Sequence, residues 1–187
     1  MKQKNILLTA VVAIAVLFFS SCDPEGPEDP NGEEVITTLK YTLTPNGGGD
    51  VVTLEFKDLD GDGGDDPTIT SGILMDSTTY TGVITLLNES ESPVEDITVE
   101  IQEEDEDHQF FFATTLTGMT VAYDDMDANN QPVGLNSTLT TTAVENGTIT
   151  ITLRHEPNKS ATNVASGDIT NAGGETDIEV TFNLDVQ

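Results

Sequence analysis

The run Asp58-Leu-Asp60-Gly-Asp62-Gly63 has the spacing D-x-D-x-D-G. Carboxylates at alternate positions can converge on one hard cation, and the glycine permits the sharp turn that a calcium loop needs. Gly64 can add its carbonyl, and Asp66 a direct or water-mediated oxygen. Where an EF-hand has a bidentate Glu, at the twelfth position, this chain has Ile69, and no helical pattern flanks the loop. A free-standing site between strands is therefore expected, with calcium affinity at the weak end, about 0.1 to 1 mM. The same residues also make an ordinary polar turn, because Asp and Gly are common turn formers. A second loop, Asp125-Met-Asp127-Ala-Asn129-Asn130, repeats the pattern with fewer charges. Asn130 stands there in place of Gly, and Asn tolerates the left-handed backbone. Asp125, Asp127 and Asn129 are the weaker candidate ligands, and a degenerate copy that is only a turn is the alternative.

The chain has two histidines. His108 follows the acidic run Glu103-Glu-Asp-Glu-Asp107, and His155 sits in Arg154-His-Glu-Pro-Asn-Lys159. If the fold brought them together, two imidazoles and a carboxylate would suit zinc or copper. Carboxylates near His108 stabilise its imidazolium, so protons would compete with the metal. Surface histidines or hydrogen-bonded loop anchors are the plainer alternative. The stretch from His155 to Glu175 has the length and composition of a binding loop, with Arg154, His155, Glu156 and Lys159 at its head and Gly167, Gly173 and Gly174 favouring mobility. There is no H-E-x-x-H, no G-x-S-x-G and no phosphate-cradling glycine loop, so no enzyme is expected. Trp is absent, which removes the usual platform for stacking sugars.

Cys22 is the only cysteine, and it closes an apolar segment that starts after Met1-Lys2-Gln3-Lys4. From Ile6 to Phe19 only Thr9 is polar. That is short of the roughly 20 residues a membrane crossing needs, but right for a signal-peptide core. Leu17-Phe-Phe-Ser-Ser-Cys22 resembles a bacterial lipobox, with Phe19 where an aliphatic residue is usual. Residues 1–21 are thus expected to be a signal peptide, and Cys22 the lipid-bearing first residue of the mature chain. An ordinary signal peptide with a spare cysteine is the alternative. Several acyl chains would anchor the protein stably, at about 0.8 kcal/mol per buried methylene. Residues 22–34 continue as an acidic Pro- and Gly-rich stretch with no apolar period, which predicts a disordered, solvated stalk.

All 34 acidic residues lie after Cys22, against four basic ones (Lys40, Lys57, Arg154 and Lys159), leaving the mature chain at −30. Nucleic acid is excluded as a partner, because binding it needs clustered Lys and Arg. Divalent cations or a cationic protein partner are favoured, although such charge also serves solubility alone.

These candidates must be positioned by strands. From Asp177 to Gln187 the chain alternates, with Ile178, Val180, Phe182, Leu184 and Val186 on one face and Asp177, Glu179, Thr181, Asn183 and Asp185 on the other. Thr148 to Leu153 alternates likewise, and the 28 threonines suit half-exposed strands. Thr53 to Asp62 aligns with Thr120 to Asn129 at an offset of 67, and Ile84 to Leu86 with Ile151 to Leu153 at the same offset. Asp96 to Val99 aligns with Asp177 to Val180 at 81, which leaves 14 extra residues in the second copy. The expected fold is an all-β antiparallel sandwich over residues 35–187, of about eight strands in two similar four-strand halves, 38–107 and 108–187. Chance similarity among Thr-rich strands is the alternative to a repeat.

The segments YTLTPNGGG, DLDGDGG, TYTGVITLLNESESPVEDITVEI, LRHEPNKSA and GDITNAGGETDIEVTF resemble a family of small Gram-negative lipoproteins of unassigned activity known as type 1 periplasmic binding fold superfamily proteins. The resemblance covers nearly everything after the stalk and assigns no ligand or site residue. The expectation is a non-enzymatic binding or interaction module, lipid-anchored at the outer membrane or cell surface and stiffened by calcium at the Asp58 loop. A zinc- or copper-handling lipoprotein beside an outer-membrane transporter is one alternative, and a structural envelope lipoprotein the other.

Overall fold

The computed structural model describes residues 34–61 and 64–187. The signal segment, Cys22 and nearly all of the expected stalk lie outside the described residues, as do Asp62 and Gly63.

Alternating side chains build two sheets that bury their apolar faces against each other. The first has six strands in the order β3 (Thr68–Thr70), β2 (Val52–Lys57), β1 (Thr38–Pro45), β5 (Thr79–Leu87), β8 (Asn136–Thr141) and β7 (Met119–Tyr123). The second has four, in the order β4 (Gly72–Leu74), β10 (Glu175–Val186), β9 (Glu145–His155) and β6 (His108–Thr114). Leu39, Tyr41 and Leu43 of β1 and Ile84 and Leu86 of β5 share one core with Ile149, Ile151 and Leu153 of β9 and Val180, Phe182 and Leu184 of β10. The architecture is the expected sandwich, with ten strands rather than eight. All pairings are antiparallel except β4 with β10, which run parallel. That exception follows from the chain crossing at Ser71 from the edge of one sheet to the edge of the other.

One expected strand is a helix. Asp96 to Val99 opens α1 (Ile97–Glu103), where the Asp96 carboxylate accepts from the Thr98 N–H at 3.1 Å and caps the first turn. Ile97 and Ile101, four apart, are buried on one helical face. The Thr98 hydroxyl accepts from Leu86 N–H at 2.8 Å and donates to Leu86 O at 3.1 Å, so it occupies the edge of β5 that β8 leaves unpaired. Its aligned counterpart, Asp177 to Val180, is strand β10. The other aligned pairs also part company, because β2 and β5 share a sheet whereas β7 and β9 do not. The sequence similarity is therefore not matched by equivalent strand positions.

The stretch from His155 to Glu175 has structure of its own. Two single-turn 3₁₀ helices, Val164–Ser166 and Ile169–Asn171, fold over the outer face of β6. Val164 and Ala172 pack on Phe111 in a second small core, with Ala161 and Ile169 beside it. Gln109, buried on the same face, donates its amide to Val164 O at 3.0 Å. The glycines expected to favour mobility, Gly167, Gly173 and Gly174, have φ of +93°, +63° and +70° and serve left-handed turns.

Candidate metal centre

Register brings the two histidines together. β6 begins at His108 and β9 ends at His155, and in their antiparallel ladder these residues stand directly opposite each other. Their rings stack with centroids 4.7 Å apart and planes 14° from parallel. On the inner side, Glu34 Oε1 lies 3.2 Å from His108 Nε2. One ligand atom each from Glu34, His108 and His155 falls within 4.8 Å of the others, the only such group of three among the described residues. Asp177 Oδ2 stands 3.8 Å from His108 Nε2.

The tautomer of His108 follows from its other nitrogen. Nδ1 lies 3.1 Å from Glu104 O, and a carbonyl can only accept, so Nδ1 carries the hydrogen and Nε2 faces the carboxylates. Such a second-side hydrogen bond is what orients histidines that bind metals. Nε2 can offer those carboxylates a proton or offer a metal its lone pair. Burial works to lower the His108 pKa, but the hydrogen bond to Glu34, the Glu104 carbonyl and the charges of Glu34 and Asp177 outweigh it and raise it. Burial likewise works to raise the Glu34 pKa, and the bond to His108 outweighs that and holds it below its ordinary value. The second oxygen of Glu34 is buried with no hydrogen-bond partner, an acceptor still available.

The far end of β9 is pinned by backbone. Glu156 N–H donates to Asp107 O at 2.6 Å, and Glu156 itself takes φ +49°. At Gly174 an added Cβ would lie 2.2 Å from His155 O, so only glycine lets the returning loop close against the histidine. Arg154 donates to Gly174 O at 3.3 Å, closing the same turn.

The other candidates are placed elsewhere. Asp58 Oδ1 accepts from Gly61 N–H at 3.0 Å and Asp60 Oδ2 from Asp65 N–H at 2.9 Å, so these carboxylates brace the turn. Gly64 lies against the Asp60 carboxylate, Asp66 is exposed, and Asp62 is outside the described residues. In the second loop Asp125 accepts from Gly134 N–H at 2.7 Å and Asn136 N–H at 2.8 Å. Asp127 Oδ1 accepts from Asn129 N–H at 2.8 Å and Gln131 N–H at 2.9 Å, while its Oδ2 meets Lys159 Nζ at 2.9 Å. Asn130 takes the left-handed φ of +60° expected of it. The cation in this loop is thus the chain's own ammonium group, which also donates to Asp105 O. Lys159, read as a candidate at the head of a binding loop, is buried.

Two carboxylates beside His108 were not among the sequence candidates. Glu34, assigned to the end of a solvated stalk, is folded in with its side chain 5 % exposed. Asp177, assigned to the outer face of the last strand, has a fully buried side chain. Only the irregular ladder at this point marks it, and no residue type announces that. Compared with known proteins, the chain matches no family model, no curated protein and no solved structure.

Proposed function

We propose that this protein is a non-enzymatic, lipid-tethered binding module of the cell envelope that takes up a divalent transition-metal ion, zinc by its donor set, at Glu34, His108 and His155. The convergence of one carboxylate and two imidazoles within 4.8 Å carries the reading. Zinc takes nitrogen at about 2.0–2.1 Å and carboxylate oxygen at about 2.0–2.2 Å, so small side-chain rotations would bring the three atoms around one ion. Imidazole and carboxylate without thiolate favour zinc(II) or copper(II) over copper(I). Tethering through Cys22 would hold the module at the outer membrane or cell surface, where the mature chain's formal −30 raises the local concentration of cations.

Titration calorimetry of the full chain with zinc tests this. One equivalent is expected to bind, with binding lost in both His155→Ala and Glu34→Gln. Heat unchanged from buffer, or zinc taken up equally by His155→Ala, would remove the centre.

A further inference from the structure

The ladder between β9 and β10 slips at one point. Glu175 pairs with His155 and Thr176 with Arg154, but the next pair is Ile178 with Leu153, so Asp177 is an extra residue in a β-bulge. Bulges of this kind re-aim a side chain. Regular alternation would put Asp177 on the outer face with Glu179 and Thr181. Instead its side chain is fully buried and its Oδ2 reaches within 3.8 Å of His108 Nε2, the atom that also faces Glu34 at 3.2 Å.

We propose that Asp177 is a fourth ligand, turned into the Glu34, His108 and His155 centre by the bulge, so that the ion sits in a closed site of two histidines and two carboxylates. This rests on the zinc reading above. Two ligands about 2.0–2.2 Å from a tetrahedral zinc lie roughly 3.4 Å apart, and both carboxylate contacts to His108 fall near that separation; Asp177 stands outside the 4.8 Å group of three and would join it by a side-chain rotation on binding. Two neutral imidazoles and two carboxylates cancel the charge of a divalent ion, which a buried site requires. The Glu104 carbonyl on His108 Nδ1 supplies the outer support that metal-bound histidines need. Four protein ligands leave no open position, the pattern of structural rather than catalytic zinc. The centre then joins four stretches of chain: the segment before β1, the paired ends of β6 and β9, and the bulge in β10.

Cobalt(II) is the probe, because its visible absorption distinguishes four protein ligands from three plus water. In the full chain, Asp177→Asn is expected to weaken zinc binding by more than about 100-fold, beyond the roughly 10- to 100-fold of a lost outer partner. It should also move the cobalt band toward the weaker absorption of a water-bound ion, and Asp177→Glu should recover part of both. If Asp177→Asn keeps the affinity and cobalt spectrum of the unaltered chain while His155→Ala loses both, the three-residue centre stands and Asp177 is no ligand. If the unaltered chain takes up neither metal, the underlying reading fails as well. Should Asp177→Asn not fold, Asp177→Glu decides: a shifted cobalt band supports ligation, and an unshifted one overturns it.

Discussion

Lys159 and Asp127 form an ion pair with side chains 5 % and 1 % exposed, joining the β7–β8 loop to the long excursion before β10. Removing one partner of a buried pair strands the other, so Asp127→Asn is expected to cost about 3–5 kcal/mol in urea denaturation at neutral pH. Burial works to raise the Asp127 pKa, but the Gln131 amide, Lys159 and the Asn129 amide outweigh it and hold it below 3.8. A depressed folded pKa contributes stability above the ordinary value and loses it as pH falls through the folded one. The difference between the unaltered chain and Asp127→Asn should therefore stay constant down to about pH 4 and shrink below it, and a gap that widens as pH falls below 4 would contradict the assignment. At this scale the sequence was legible for single residues and silent on partners. His108 and His155 were recognisable as candidate ligands, and Asn130 as a left-handed position. Glu34 and Asp177 looked like two acids among many, because a carboxylate's burial depends on chain crossings that neither spacing nor charge encodes.

At the scale of elements, two features hold the centre in shape. Gly174 lets the loop close on His155, and Gly174→Ala must relieve both a backbone clash and a φ of +70°. It is expected to lose more than about 1 kcal/mol and to weaken zinc uptake as His155 shifts, measured by melting and calorimetry. The second feature is α1, which carries Glu104 at its C-cap and so positions the carbonyl on His108 Nδ1. Ile101→Ala should cost about 2–5 kcal/mol, seen as a lower urea midpoint. Strands β9 and β10 could be read from alternation because each buries one face along its length. Helix α1 was hidden because Ile97, Thr98 and Val99 are β-branched and favour strand, while the Asp96 cap and the Ile97 and Ile101 pair set their helical form. The excursion before β10 looked mobile from its glycines. Phe111, Val164 and Ala172 bury one another there, and three apolar residues 53 and 8 positions apart make no periodic signal.

For the whole molecule, a metal bound only by the folded state must raise its stability. Zinc at about 100 times its dissociation constant should add about 2.7 kcal/mol, read as a higher melting midpoint that EDTA reverses. The sandwich itself was legible, since strand alternation, threonine content and turn residues all pointed to it. The packing order of ten strands was not, because the β4 with β10 parallel pairing and the transfer at Ser71 depend on edges far apart in sequence.

Glu34 stands four positions before the first strand and twelve after Cys22. With the chain held at Cys22 as proposed, any pull on the domain enters through Glu34 before it reaches a backbone ladder. With zinc bound as proposed, the carboxylate would be a mechanical fastener, and the ion it shares with the histidines would set how much load the domain bears before β1 begins to peel. Single-molecule extension from the N-terminal side should show a higher rupture force with zinc than with EDTA, and no such difference in Glu34→Gln.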